Sequence, residues 1–216
     1  MNTIEQAIAE NPRAVLTALS NVLPEILDKN GSRTNGETEL EENKVKLIEP
    51  EKQIEIVDGE VEIKSMAGAR HSGIAMRIAV KMGGFVEKNK LGQIYGADAT
   101  FTVGENERLP DLSFVSMDRI PETGEPETKW EIAPDLAVEI VSPTDIYSKI
   151  LKKIREYLDA GVKQVWLIEP EFQTVTVYTP PMKSETLNVE DSLVCEDILP
   201  DFELPLKEIF RSPKAS

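Results

Sequence analysis

The sequence predicts an α/β fold, a mixed β-sheet flanked by helices, with an N-terminal helical extension. Three observations carry this. Pro134 to Ser142 is nearly continuous in apolar residues, as expected of a central strand covered on both faces. A helix-periodic stretch follows it, then a second apolar run, Val165-Trp166-Leu167-Ile168; strand, helix, strand in that order is a βαβ crossover. Elsewhere, short segments alternate apolar and polar residues with period two, the pattern of strands with one face covered.

From the N-terminus, Thr3 to Leu27 reads as helical, with Ile4, Ile8, Val15, Leu19, Val22 and Ile26 among residues at three- and four-residue spacing. Pro12 and Pro24 divide this stretch into shorter pieces. Asp28 to Gly36, followed by Glu37, Glu39, Glu41 and Glu42, is a polar linker. Residues 1–50 therefore form the extension and linker, and residues 51–216 the main domain. The extension either docks on that domain or offers a helix to a partner. Ile54 to Ile63 is a hairpin signal, with Asp58-Gly59 suited to a primed two-residue turn.

Gly68 to Lys90 reads as an amphipathic helix with His71, Ile74, Ala75, Ile78, Met82, Phe85 and Val86 on one stripe, and Gly92 just past its end. Gln93–Val103 and Leu109–Ser116 follow as strands, then an acidic, proline-bearing loop to Trp130 that should be exposed. Ser142-Pro143-Thr144 ends the central strand, and Thr144 is the expected N-cap of a helix to Ala160 that Gly161 closes. Thr174 to Tyr178 alternates as a half-exposed strand, and no solenoid-type repeat is present.

Composition narrows the chemistry. The 216 residues contain one cysteine, Cys195, and one histidine, His71. A multi-histidine or cysteine-rich zinc site is excluded, so a metal would be held by oxygen, favouring magnesium or manganese. The lone cysteine fits a reducing cytoplasm, and no apolar run approaches the ~20 residues of a membrane span. The net charge of −15 counts against a broad phosphate-gripping surface, because affinity for nucleic acid rests on clustered Lys and Arg.

One strand breaks its own pattern. Glu139 sits in the middle of Pro134–Ser142, where a carboxylate is costly unless it binds a cation or is hydrogen-bonded. Alternation puts Asp135, Ala137 and Glu139 on one face and Leu136, Val138 and Ile140 on the other. Asp111 opens another strand-like segment in a similar Pro-Asp-Leu frame. Two acids brought together by strand pairing, with Lys149, Lys152 and Lys153 on the following helix, are the parts of a metal-dependent phosphodiesterase site.

These residues resemble a family. Pro110-Asp111 with Ser113-Phe114-Val115, then Pro134-Asp135-Leu136-Ala137-Val138-Glu139-Ile140-Val141-Ser142-Pro143, are similar to the bacterial restriction endonuclease family within the PD-(D/E)XK nuclease superfamily. Lys153, Tyr157, Ala160-Gly161-Val162, Val165 to Pro170, Ile54 to Glu60, the His71 helix, Leu91-Gly92, Tyr95 to Asp98 and Ile198 to Leu204 continue the match in order, over residues 52 to 210.

The resemblance implies a restriction-endonuclease-like core and Mg²⁺-dependent cleavage of DNA, with Mn²⁺ a possible substitute, and it makes a homodimer plausible. It also implies that Asp111 and Glu139 are the metal carboxylates. The superfamily's usual lysine position is here Val141, and Lys153 matches those members whose lysine has moved to the next helix. Glu55 and His71 match positions found near that site, Glu55 as a further acid.

Each residue has a plainer alternative. Lys153 could be a surface lysine lying along the helix. His71 could be a hydrogen-bonded core histidine, Glu55 an ordinary hairpin residue, and Asp135 and Asp98 structural. At the level of the whole chain, the alternatives are a catalytically inactive nuclease-fold binding or regulatory module and a hydrolase of RNA or a nucleotide.

Overall fold

The computed structural model describes residues 53–64 and 67–211. The chain divides into two units, Met1–Met66 and Ala67–Ser216. The helical reading of Thr3–Leu27, the acidic linker and the border at residue 50 lie outside the described residues.

In the first unit, β1 (Ile54–Val57) and β2 (Glu60–Ile63) pair antiparallel, with Val57 opposite Glu60. Asp58 and Gly59 both have positive φ, 53° and 77°, as the primed turn of a two-residue hairpin requires.

The second unit is organised by a six-stranded sheet. Its strands are β3 (Gly92–Gly96), β6 (Leu112–Ser116), β7 (Leu136–Ile140), β8 (Gln164–Glu169), β9 (Thr174–Thr179) and β10 (Lys183–Leu187), in the order β10-β9-β8-β7-β6-β3. β7 and β8 are parallel, joined by α2 (Tyr147–Asp159), and the other neighbours are antiparallel. This is the predicted crossover inside a mixed sheet.

Strand alternation sorts the core into two layers. Leu112, Phe114, Leu136, Val138, Ile140, Trp166 and Ile168 pack with Ile74, Ile78, Met82 and Val86 of α1 (Ala69–Asn89). Val115, Ala137, Val165 and Leu167 pack with Ile154, Tyr157 and Leu158 of α2. All five residues of β7 are buried. The even-numbered residues of β7 thus face α1 and the odd-numbered ones face α2, which fixes the side on which Glu139 emerges.

Four local features depart from the sequence reading. The predicted strand Gln93–Val103 is two: after β3 the chain turns, with the Ala99 amide donating to Gly96 O at 3.1 Å, and β4 (Phe101–Val103) forms a hairpin with β5 (Asn106–Arg108). Lys90, at φ 56°, takes the left-handed position that ends α1. Gly92 is required instead by a close approach, since a Cβ there would lie 2.1 Å from the Val115 carbonyl oxygen.

Thr144 does not cap α2. Asp145 folds back so that the Ser142 amide donates to its carboxylate at 2.7 Å, and this turn delays the helix to Tyr147. Finally, β11 (Ser192–Cys195), β12 (Leu199–Pro205) and the short α3 (Leu206–Phe210) add a C-terminal layer, and Leu193, Phe202, Leu204 and Ile209 complete the α1-side core.

Candidate active site

β6 and β7 pair with Leu112 opposite Val138 and Phe114 opposite Leu136. One register step further sets Asp111, just before β6, across from Glu139. Asp111 is 4% exposed and Glu139 8%. Two carboxylates at that depth demand compensation.

Each has it. The Ile140 amide donates to Asp111 Oδ2 at 2.7 Å, and His71 Nε2 lies 3.0 Å from the same oxygen. Tyr157 donates its hydroxyl hydrogen to Glu139 Oε1 at 2.8 Å, and Lys153 Nζ lies 2.9 Å from that oxygen. Lys153 also lies 5.9 Å from the Tyr157 ring centroid, within reach of a cation–π contact.

Three elements converge here. The C-terminal end of β7 carries Glu139. The first turn of α1 carries His71, and the neighbouring Arg70 guanidinium donates to the Pro170 carbonyl just past β8. The second turn of α2 carries Lys153 and, four residues on, Tyr157, so both face the sheet. Lys153 is therefore not a surface lysine lying along α2: its side chain is 12% exposed and ion-paired to Glu139. His71 belongs to the same cluster, at the start of the α1 stripe.

Tyr157, named in the sequence only within the family resemblance and given no role there, contacts Glu139 as well. Its signal was its place four residues after Lys153, on the helix face that packs under Glu139. Glu55 belongs to the other unit, on β1 opposite Glu62.

The second Pro-Asp-Leu frame has a different fate. Asp135 precedes β7 as Asp111 precedes β6, and each carboxylate accepts from the last amide of the opposite strand; for Asp135 the donor is Ser116 N–H at 2.9 Å. The ribbon is thus built alike at both ends. At the Asp135 end, however, the facing residue is Val115. Arg119 at 3.1 Å, Lys163 at 3.0 Å and the Ser116 hydroxyl at 3.0 Å complete the shell. Burial raises the Asp135 pKa, but the Ser116 amide, Lys163 and Arg119 outweigh it and hold the carboxyl below its ordinary value. Asp135 is a structural anchor.

Among the described residues no group of three or more His, Cys, Asp or Glu is arranged as a metal site. Asp111 and Glu139 supply two hard oxygen donors, which fits a magnesium ion held by one or two carboxylates with water and substrate oxygens completing its shell. Cys195 takes no part. It is buried on the sheet's other side, and burial pushes its thiol up to about 12, so it is not a nucleophile at neutral pH.

No curated protein matches the chain. Among solved structures, "a putative nuclease belonging to DUF820" from Anabaena variabilis ATCC 29413 is similar at 29% identity and a TM-score of 0.69, over 78% of this chain and 96% of that one. The family model described as "Uma2: Putative restriction endonuclease" matches residues 39–207. The mixed sheet, its flanking helices and this match along most of the sequence agree, and the chain belongs to the Uma2 family of restriction-endonuclease-like proteins.

Proposed function

We propose that the chain is a Mg²⁺-dependent endonuclease that hydrolyses DNA phosphodiester bonds. The observation that carries this reading is Glu139, a carboxylate near the C-terminal end of a buried strand, set opposite Asp111 in register and ion-paired to Lys153. Asp111 and Glu139 would hold the cation, which when bound neutralises developing phosphate charge and acidifies water.

The chain's own groups do the positioning. His71 and the Ile140 amide hold the Asp111 carboxylate in place. Lys153 donates hydrogen bonds that orient the attacking water and steady the phosphorane charge. A bond forms from the water oxygen to phosphorus, a phosphorus–oxygen ester bond breaks, and the proton lost by the water is matched by one gained at the departing oxygen.

Nicking of a supercoiled plasmid in Mg²⁺ or Mn²⁺ tests the reading. Glu139→Gln and Lys153→Ala are each expected to lower the rate about a hundredfold or more, the loss typical of a preorganised electrostatic group. Nicking that survives both substitutions would remove the site from consideration. The net charge of −15 favours one other reading, a nuclease-fold binding module without turnover. Failure to cleave DNA or RNA with either metal would select it.

A further inference from the structure

We infer that Tyr157 is a positioning residue for this site, fixing the Glu139 carboxylate for cation binding. This rests on the proposed role of Glu139 as a cation ligand. Two donors of different kinds converge on one oxygen, the Tyr157 hydroxyl at 2.8 Å and Lys153 Nζ at 2.9 Å from Oε1.

A glutamate on a strand reaches its target through three rotatable bonds, and a single flexible lysine restrains it weakly. The Tyr157 hydroxyl sits on a ring that is fully buried between Ile154 and Leu158 of α2 and the sheet. A hydrogen bond from such a ring is rigid where the lysine is not, so it sets the plane of the carboxylate. Outer partners that orient a metal-binding carboxylate typically matter about ten- to a hundredfold in metal affinity or activity.

The same ring lies beside Lys153 Nζ. It confines the ammonium to the Glu139 side of the helix, so one aromatic residue positions both the acid and the lysine. The ring packs in the α2-side core with Ala137, Val165 and Leu167.

The experiment is a calorimetric Mn²⁺ titration of the full chain, without DNA, comparing the natural sequence, Tyr157→Phe and Glu139→Gln, with thermal unfolding and steady-state nicking of each. Phe fills the same space, so the melting midpoint of Tyr157→Phe should move by no more than about 3 °C, the size of one lost hydrogen bond. Its Mn²⁺ dissociation constant should rise about tenfold, and kcat should fall with KM for DNA unchanged.

An affinity within about twofold of the natural sequence overturns the inference. So does a loss of affinity accompanied by a much larger fall in melting midpoint, which would assign Tyr157 to the fold. If Glu139→Gln itself binds Mn²⁺ as the natural chain does, the cation site proposed above fails. If only Tyr157→Phe does so, that site stands and this inference falls.

Discussion

At the scale of single residues, Asp111 and Asp135 hold equivalent stations at the two ends of the β6–β7 ribbon, and their neighbours decide what each becomes. Asp135 faces Val115 and is clamped by Arg119, Lys163 and Ser116. Its carboxyl is held below the ordinary value, so its contribution is present above the unfolded-state pKa of about 4 and is lost as pH falls through the lower folded-state value. Asp135→Asn should cost about 2 kcal/mol of stability at pH 7, because Arg119 and Lys163 lose a charged acceptor. That difference should shrink progressively as pH falls below about 4. Urea unfolding of both proteins across this range checks it, and an unchanging gap would refute the ionic account. The repeated Pro-Asp-Leu frame was visible in the sequence. Which copy is the candidate site was also marked in the sequence, because only Asp111 has a glutamate, Glu139, at the facing position. What the sequence does not show is the shared geometry: each aspartate tying down the end of the other's strand is a consequence of register, which no local pattern contains.

The element that positions Lys153 and Tyr157 is α2, and a partly buried ion pair ties it to β5. The Arg108 side chain of β5, 5% exposed, donates from Nε to Glu156 at 2.9 Å, and its terminal nitrogen contacts the same oxygen. Glu156→Ala would leave a buried guanidinium without that carboxylate and should destabilise by about 3 kcal/mol; Glu156→Ala combined with Arg108→Met should recover most of the loss. Equal losses in the single and double variants, measured by urea unfolding, would refute the coupling. Gly92 makes a similar demand on β3, where Gly92→Ala drives a methyl group into the Val115 carbonyl and should cost about 3 kcal/mol or more; a loss under about 1 kcal/mol would contradict the close approach. The helices α1 and α2 and the strands β6 to β8 were legible because burial imposes period on sequence. β10 was not, since four of its five residues are exposed and an edge strand facing solvent shows no alternation. Thr144 misled because its neighbour Asp145 has the same capping chemistry and used it to fold back on Ser142.

At the scale of the whole molecule, a net charge of −15 has to be reconciled with a polyanionic substrate. The described cations are heavily committed inside the protein: Arg119 and Lys163 to Asp135, Arg108 to Glu156, Lys129 to Glu107 and Lys81 to Glu208. Under the proposed function, phosphate contacts would be few and would centre on Lys153, with Lys149 on the same helix. A protein that neutralises Z phosphates loses affinity with a log–log salt slope of about −0.9Z on duplex DNA. With Z of about 2 or 3, binding should weaken only some ten- to fiftyfold between about 50 and 200 mM salt, against about a thousandfold or more for a broad basic interface. Fluorescence anisotropy with a short duplex and the Glu139→Gln variant in Mg²⁺, which keeps Lys153, measures the slope while cleavage is suppressed. A slope steeper than about −5 would require a phosphate-gripping surface that these ion pairs do not leave available. A slope near −2 would mean that DNA is held at the site by local contacts rather than drawn in by the field of the protein. Association would then be slow and unsteered, and selectivity would rest on whatever lines the C-terminal ends of β7 and β8.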